Sequence, residues 1–550
     1  MHTSISILLI GPETCQHRIQ LLSFLRQTAS RITLATTLTN DLADHHAVIV
    51  TAPENITATK WAQLSQFVAA GGALFAFAPA ATAAVDWPAM FGARPCGEAA
   101  PAEFRVLFRD PDSPLARRLP AAFYMRSLFQ PLTLNAPETR ELLYADWQFT
   151  QQPVLTSHPF GEGVAALTTL TDSSHPLLPR IIYRLLYQSC QKTSPERQLG
   201  IGILGYAPSV GQLHGQGASA TAGLSLEMIC DLAPDRLQAA RQHFPAVTVT
   251  ESADEMMANE AVDLVIIATP PNVHAALTAR LLASGKHVVC EKPLAVTLAE
   301  AEAMQAAAQK YGLHLSCHQN RRWNSDYLMI KQALADGLLG QPFYLETFVG
   351  GYGHPCGFWH SHAPVSGGTT FDWGAHYLDW MLDLLPGEIT GVICTRQNRL
   401  WHDITNADRE RIQLRYADGS EAEFTHSDLA FIPKPKWYLV GTEGALLGQW
   451  RQVDSYTIDP LHYYQKHEIP ASEMGADITV RRRDSRGNTF TQTLPEPARR
   501  SYAFHANLAD HLLLGEPLTV PLDHTMRVMA VLEAARQSAA AGGQLQQVSI

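Results

Sequence analysis

Three polar side chains in the second half of the chain have the chemistry that moving a proton requires. Lys292 lies between Glu291 and Pro293, and Asp372 precedes His376 by four positions. This spacing puts the Asp372 and His376 side chains on one face of a helix, where the carboxylate can orient the imidazole. His376 can then take a hydroxyl proton while a hydride leaves the carbon that bears it, and Lys292 can polarise the oxygen. The set predicts a dehydrogenase active site.

A glycine-bearing turn upstream has the features of a nicotinamide dinucleotide site. It begins at Gly205, and Ala207 stands where such turns carry a second glycine. Backbone amides at the start of the following helix can bind a pyrophosphate, because they are unpaired and lie at the positive end of the helix. Asp231 follows the next strand, where a carboxylate accepts hydrogen bonds from the adenosine ribose and repels a 2′-phosphate. We therefore expect NAD, with NADP disfavoured.

Apolar runs alternating with alanine-rich segments predict the elements that would position these residues. The predicted strands of this part are 201–204, 225–231, 262–268 and 287–290. With helices between them, they indicate a doubly wound, Rossmann-type half. Beyond it, alternating strands at 410–416 and 421–425 predict an α+β region with an open, mainly antiparallel sheet. Short apolar runs before residue 190 predict a further parallel α/β layer.

Length and composition predict several folded domains and limit the classes of partner that the protein can bind. At 550 residues the chain is too long for one hydrophobic core, and the polar segment 191–198 is the expected linker. We predict domains at 1–195, 198–318 and 319–550. The net charge of −11 without a basic run, and the lack of an 18-residue uncharged apolar run, argue against nucleic acid and membrane partners. Eight scattered cysteines without a Cys-x-x-Cys pair indicate a reducing, cytoplasmic location.

Three phrases give the second part of the chain a specific resemblance. They are ATPPNVH (268–274), SGKHVVCEKPLA (284–295) and GGTTFDWGAHYLDW (367–380). In this order the sequence resembles the glucose-fructose oxidoreductase and inositol dehydrogenase (Gfo/Idh/MocA) family, from about residue 200 to the end. The resemblance implies a Rossmann domain that binds NAD and an open-faced sheet domain for a carbohydrate substrate and for homo-oligomer contacts, in a dimer or tetramer.

The resemblance and the local patterns together assign candidate roles. The catalytic candidates are Lys292, Asp372 and His376. The cofactor-binding candidates are Gly205, Ala207, Ser209, Val210, Asp231, Thr269, Pro270, Asn272, His274, Glu291 and Lys292. The substrate-binding candidates are Asn320, Arg322, Trp359 and His360. No metal site is predicted, because His360, His362 and Cys356 lie among loop-forming glycines and prolines without an adjacent carboxylate partner.

The first region resembles a different family. The phrases HHAVIVTAP, LSQFVAAGGALFAFAP and HPFGEGVAALTTL are similar to the ThuA-like branch of the class I glutamine-amidotransferase fold, a flavodoxin-like α/β architecture. The nucleophilic cysteine that amidotransferases carry after a strand is missing from the equivalent run 71–79. We therefore expect this domain to lack amidotransferase activity.

The residues support a leading function and leave alternatives open. The leading interpretation is an NAD-dependent oxidoreductase acting on a hydroxyl or keto group of a sugar, glycoside or cyclitol. An alternative within the resemblance is an NAD-dependent glycoside hydrolase or lyase that oxidises its sugar transiently and retains NAD. A nonenzymatic sensor is disfavoured, because it would not require Lys292, Asp372 and His376 together.

Overall fold

The chain folds into two compact units. The computed structural model describes residues 4–38, 42–78, 87–148, 150–173, 175–190, 198–208, 210–355, 358–451, 456–458, 466–468, 475–484 and 486–550. The first unit comprises residues 1–198, 221–223 and 506–518, and the second comprises 199–220, 224–505 and 519–550. Of the expected linker, residues 191–198, only residue 198 is among the described residues. No helix in the described ranges is both long and apolar enough to cross a membrane.

The first unit is an α/β structure built around one large sheet. Its elements are β1 (Ser6–Ile10), α1 (Gln16–Leu25), β2 (Arg31–Ala35), β3 (Ala47–Val50), α2 (Ala58–Ala69), β4 (Ala73–Phe77), β5 (Ala93–Pro95), β6 (Ala100–Phe108), β7 (Ala122–Phe129), β8 (Leu132–Leu134), β9 (Arg140–Trp147), β10 (Thr150–Phe160), β11 (Gly163–Thr168) and α3 (Leu177–Cys190). The sheet order is β2-β1-β3-β4-β11-β10-β9-β6-β7. Strands β5 and β8 form a separate pair.

The first five strands of this order are parallel, as the sequence predicted, and β1, β3 and β4 are buried on both faces. Alternate residues enter opposite cores: Ile7 and Leu9 pack with α1 and α3, whereas Leu8 and Ile10 pack with α2. The remaining four strands are antiparallel. This extension was not predicted from the sequence.

A buried ion cluster lies within the first unit and includes side chains from residues 506–518. Arg184 Nε donates to Glu516 Oε1 at 2.5 Å, and Arg184 Nη2 lies 2.9 Å from Asp510 Oδ1. Arg180 bridges the same two carboxylates, and Arg118 Nε donates to Asp510 Oδ1 at 2.6 Å. Three guanidiniums thus surround two buried carboxylates, which satisfies charges that would be costly to bury singly.

The second unit begins with a parallel sheet flanked by helices. Its first elements are β12 (Leu199–Leu204), α4 (Val210–Ala220), β13 (Leu224–Cys230), α5 (Pro234–His243), β14 (Thr248–Thr250), α6 (Ala253–Ala258), β15 (Leu264–Ile267), α7 (His274–Ala283), β16 (His287–Glu291), α8 (Leu298–Tyr311) and β17 (Leu315–His318). The order is β14-β13-β12-β15-β16-β17, all parallel. This is the doubly wound Rossmann order, with its topological switch between β12 and β15. The predicted Rossmann fold is confirmed.

The rest of the second unit is the predicted α+β part. Its elements are α9 (Ser325–Ala335), β18 (Pro342–Gly350), α10 (Ala363–Ser366), α11 (Thr369–Asp372), α12 (Gly374–Leu384), β19 (Ile389–Gln397), β20 (Arg409–Tyr416), β21 (Glu421–Ser427), β22 (Trp437–Gly441), β23 (Gly444–Trp450), β24 (Tyr456–Ile458), β25 (Lys466–Glu468), β26 (Ala476–Arg483), β27 (Thr489–Thr493), α13 (Ala503–Leu514), α14 (Leu522–Ala540) and β28 (Gln546–Gln547). From Ala506 to Leu514, α13 belongs to the first unit.

The main sheet of this part has the order β27-β26-β23-β22-β18-β21-β20-β19-β28. Only the central pair, β18 and β21, is parallel among these neighbours. Strand β20 shows why one face is buried: Ile412, Leu414 and Tyr416 point into the core, and Arg415 between them is exposed. Helices α12 and α14 pack in the same core, and nearly every residue of α12 is buried.

Candidate active site

The three catalytic candidates lie together at one cavity of about 540 Å³ in the second unit. Lys292 directly follows β16, at the carboxyl edge of the Rossmann sheet. Asp372 is the last residue of α11, and His376 lies in the first turn of α12. Gln319, just after β17, donates to the Ala375 carbonyl at 3.2 Å and so connects the Rossmann sheet to α12.

Lys292 and Asp372 form a close ion pair at this cavity. The Nζ of Lys292 donates to Asp372 Oδ1 at 2.8 Å and to the Asp372 main-chain oxygen at 3.1 Å. His360 Nδ1 lies 3.6 Å from the same carboxylate oxygen. Burial alone would raise the pKa of Asp372, but the charge of Lys292 and hydrogen bonding from His360 hold that pKa well below its usual value. Asp372 is therefore a carboxylate that anchors a cation.

His376 is buried beside the Lys292–Asp372 ion pair, at the same cavity. Burial, followed by the positive charges of Arg321 and Lys292, lowers the pKa of His376 well below its usual value. Its imidazole is therefore neutral at neutral pH and can accept a proton. The Nδ1 atom of His376 is buried and, among the described residues, has no hydrogen-bond partner. The structure pairs the Asp372 carboxylate with the Lys292 ammonium, and the role of Asp372 as the orienting partner of His376 stays a prediction.

Many other side chains that line the cavity are polar. They come from the ends of β18 and β21 and the loops after them, from the segments before α10 and β20, and from α11. The polar lining residues that the sequence did not single out are Tyr352, His354, Ser361, Thr369, Asn406, His426 and Asp428. The parallel pairing of β18 with β21 brings the two loops side by side. Nothing in the local sequence signals a pairing between strands so far apart in the chain. The cavity can therefore hydrogen-bond a ligand with many hydroxyl groups.

The substrate candidates divide between the cavity and the core. His360 lines the cavity, and Trp359 stacks on it at a centroid distance of 3.6 Å. Asn320 is exposed. Arg322 is 1% exposed, and its guanidinium pairs with Asp379, so the expectation that it contacts substrate is wrong.

Arg321, its neighbour, is the arginine at the cavity. Its guanidinium lies 5.3 Å from the ring centre of Trp373, and the residue is part of the cavity wall. The sequence places two arginines next to each other, and which of the two faces the cavity depends on how the short helix at Asn320–Trp323 packs.

The glycine turn lies at the switch point of the Rossmann sheet. Gly205 has a φ of +98°, and a Cβ there would lie 2.7 Å from the Ala268 carbonyl oxygen, so only glycine fits. At Gly211 a Cβ would lie 2.5 Å from the Gly205 carbonyl oxygen, so a side chain at this position would also be too close to the main chain of the turn. Ala207 precedes α4, and Val210 begins it, so both lie at the helix start. Ser209 lies outside the described residues.

Asp231 holds the same turn from the side. Its Oδ2 accepts from the Tyr206 amide at 2.6 Å, and its Oδ1 accepts from the Ala233 amide at 2.8 Å. Arg236 Nη1 lies 3.4 Å from Asp231 Oδ2. A carboxylate can accept about four hydrogen bonds, so Asp231 retains acceptor capacity for a ribose hydroxyl.

The loop after β15 forms the other side of the crevice. Thr269 and Pro270 are half-buried and Asn272 is exposed, and the Thr269 hydroxyl is buried without a hydrogen-bond partner among the described residues. An unsatisfied hydroxyl at the carboxyl edge of the sheet fits a ligand that would complete it. His274 is fully buried and contacts the carbonyls of Thr269 and Pro293 at 2.9 and 3.0 Å. It supports the loop from behind, contrary to the expectation of direct cofactor contact.

Glu291 is the centre of a buried histidine network. Its Oε1 accepts from His318 Nδ1 at 2.6 Å and lies 2.9 Å from His214 Nε2, and His214 Nδ1 lies 3.1 Å from His505 Nε2. Burial alone would raise the pKa of Glu291, but His318 and His214 lower it well below its usual value. These separations are those of hydrogen bonds. One ligand atom from each of Glu291, His214 and His318 also lies close enough to the other two for the three to surround an ion.

Glu291 Oε2 accepts from the Lys292 amide at 3.1 Å. The network therefore supports the main chain that carries Lys292, and Glu291 is used by protein groups. The sequence singled out Glu291 but not its three histidine neighbours.

Comparisons with known proteins agree with this geometry. Residues 199–319 match the model of an oxidoreductase family with an NAD-binding Rossmann fold, and residues 327–447 match the Gfo/Idh/MocA C-terminal domain. Scyllo-inositol 2-dehydrogenase (NADP(+)) IolW of Bacillus subtilis is 28% identical over 355 residues, which cover 62% of this chain and 93% of the relative. D-apiose dehydrogenase of Paraburkholderia graminis is 37% identical over 122 residues, which cover 22% of this chain and 32% of the relative.

A solved structure is similar over the same extent. The NAD-binding protein from Listeria innocua is 27% identical with a TM-score of 0.54, and the match covers 64% of this chain and 97% of that one. The fold and the cavity thus define an oxidoreductase with an NAD-binding Rossmann domain. The second unit of the chain, which holds both matched regions, belongs to the Gfo/Idh/MocA family.

Proposed function

We propose that the protein is an NAD-dependent oxidoreductase acting on a hydroxyl or keto group of a sugar, glycoside or cyclitol. The observation that carries the proposal is the meeting of Lys292, Asp372 and His376 at a cavity that many other hydrogen-bonding side chains also line. Such a wall matches a polyhydroxylated ligand, since each buried hydroxyl requires a hydrogen-bond partner. The printed names of the inositol and apiose dehydrogenases among the relatives support the same substrate class.

Each catalytic side chain has a role that follows from its charge state. Neutral His376 accepts the proton of the reacting hydroxyl. The Lys292 ammonium, held by Asp372, donates a hydrogen bond to the same oxygen and stabilises its negative charge. The Gly205 turn and Asp231 would hold the dinucleotide, which would supply the hydride acceptor when bound.

We propose NAD as the preferred cofactor on the strength of Asp231, whose carboxylate at the end of β13 repels a 2′-phosphate. Arg236 is the competing feature, because an arginine beside this position can accept that phosphate. The relative named as NADP-dependent shows that the family model alone does not decide between them.

The test combines cofactor release with a substrate panel. Purified protein is denatured to identify any nicotinamide that it retained, and native protein is incubated with sugars, cyclitols and glycosides plus NAD or NADP. Reduced-nicotinamide absorbance with a keto product is the expected result. Cleavage of a glycosidic bond with retained NAD and no net absorbance change would instead support the redox-assisted hydrolase or lyase.

We further propose that the first unit is a ThuA-like domain without amidotransferase activity, that the protein is a homo-oligomer and that it works in the cytoplasm. The five-stranded parallel layer and the lack of a cysteine in the run 71–79 support the first point; residue 79 of that run lies outside the described residues. The seven cysteines in the described part of the chain are free thiols, which supports a reducing compartment. A glutaminase assay and light scattering of the purified protein test the first two points.

A further inference from the structure

Aromatic rings gather at the mouth of the catalytic cavity. We call Tyr352, His354, Trp401 and Phe431 the aromatic rim. Tyr352 and Phe431 stack with ring centres 3.6 Å apart, and Trp401 contacts both Tyr352 and His354 at 6.3 and 4.7 Å. Tyr352 and His354 belong to the cavity wall itself. The rim therefore continues the catalytic cavity outward.

The rim is unusually exposed for such large rings. Phe431 is 76% exposed and Tyr352 is 49% exposed, and the neighbouring Ile432 is 88% exposed. Tyr352 covers one face of Phe431, so the exposed area lies on the rest of that ring. Contiguous exposed apolar groups beside a cleft mark a ligand-binding surface more often than single exposed residues do.

The rim and the cavity differ in chemistry. The cavity floor carries Lys292, Asp372, His376 and other hydrogen-bonding groups, whereas the rim offers ring faces. A sugar or cyclitol has hydroxyls around its edge, which can form hydrogen bonds with the cavity residues. A pyranose or an aryl group also has a flat face, which can stack on an aromatic ring of the rim. A ligand that satisfies both parts must carry a second ring beyond the reacting one.

We propose that the substrate is a two-ring glycoside whose reacting ring occupies the cavity and whose second ring stacks on the aromatic rim. This inference rests on the proposed function and narrows its substrate class. The second ring is either another sugar or an aryl aglycone, because both present a flat face. His354, which pairs with the exposed Asp403 at 2.9 Å, gives the rim a polar margin for hydroxyls of a second sugar.

The experiment compares matched ligands on the full-length protein. Binding by calorimetry and steady-state oxidation are measured with methyl, 4-nitrophenyl and glucosyl derivatives of one reacting sugar. The variants are Phe431→Ala and, as a control, Phe343→Ala, which removes an aromatic ring that is 45% exposed on β18 outside the rim. The 4-nitrophenyl and glucosyl arms separate an aryl aglycone from a second sugar.

We expect the wild type to bind at least one two-ring ligand more tightly than the methyl glycoside. Phe431→Ala should raise the Kd and KM of that ligand roughly three- to tenfold, with kcat and the methyl glycoside unaffected, because one stacking contact has about this value. Phe343→Ala should change neither.

Two results would overturn the inference. In the first, wild type and Phe431→Ala show the same ratio of two-ring to methyl glycoside affinity. In the second, Phe431→Ala lowers the subunit number in light scattering, which would make the rim a contact between copies of the chain. Rim-dependent binding without any turnover would support the rim as the binding site for a second ring, but it would refute the proposed oxidoreductase function on glycosides.

Discussion

Lys292 donates two hydrogen bonds to Asp372, one to the carboxylate at 2.8 Å and one to the main-chain oxygen at 3.1 Å. The pair holds the ammonium at the cavity. We predict that Asp372→Asn lowers kcat about a hundredfold, because a misplaced polarising group loses its alignment with the reacting oxygen. Steady-state kinetics check this, with dinucleotide binding measured separately. A kcat equal to that of the wild type would show that Lys292 needs no anchor.

His376 is expected to act as the base. Replacing it with alanine should reduce kcat by about 10²- to 10⁴-fold while the dinucleotide still binds, because general-base catalysis contributes this much. Single-turnover reduction of NAD and calorimetric binding of NAD measure the two effects separately. Loss of dinucleotide binding in the same variant would assign the residue a structural role instead.

The pH profile should report the environment of His376. Its pKa is lowered first by burial and then by the charges of Arg321 and Lys292, so the neutral, active form persists as the pH falls through 6.5. We therefore expect the acid limb of kcat/KM to lie below pH 6.5 and to move upward in Arg321→Gln, which removes one positive charge. The matched control is Arg415→Gln, at an exposed position on β20. An acid limb that does not move in Arg321→Gln would contradict this account.

Cofactor preference should depend on the balance between Asp231 and Arg236. Removing the carboxylate in Asp231→Ser eliminates its repulsion of a 2′-phosphate and frees Arg236, which now lies 3.4 Å from Oδ2. The ratio of kcat/KM for NADP to that for NAD should rise at least tenfold. In the double variant with Arg236→Ala, that gain should disappear, and its persistence would exclude Arg236 as the phosphate ligand.

The histidine network beneath Lys292 should stabilise the fold through hydrogen bonds. We predict that His214→Ala lowers the free energy of unfolding by about 1–3 kcal/mol, because Glu291 and His505 each lose a buried partner. Denaturation in urea measures the loss. Incubation with EDTA should leave the wild-type Tm unchanged, and a lowered Tm would indicate that these side chains bind a metal ion.

The sequence pattern predicted the secondary structure and the fold better than it predicted the contacts between side chains. Period-two and apolar alternation located the Rossmann strands, the β20–β21 hairpin with Gly419 at φ +85°, and the last helix before Gly542. These signals are local, since they depend on neighbours within a few residues. The motif around Lys292, Asp372 and His376 likewise located the cavity.

The spacing of residues in the sequence did not predict which side chains contact each other. Asp372 and His376 do lie a turn apart, yet the carboxylate accepts its hydrogen bond from Lys292, which is 80 positions earlier in the chain. Arg321 and Arg322 are adjacent, yet only the first lines the cavity, since the second pairs with Asp379 in the core. Such outcomes depend on which charges the folded chain brings together, and the four antiparallel strands of the first unit depend similarly on long-range pairing.

The return of residues 506–518 to the first unit has a practical consequence for dissecting this protein. A gene fragment that stops at residue 198 would lack Asp510 and Glu516, and so would leave Arg184 buried without its two counter-ions. A fragment that starts at residue 199 would contain residues 506–518 without the rest of the first unit, with which they pack. Neither half is therefore a self-sufficient module, and a single cut in the coding sequence cannot separate the two units.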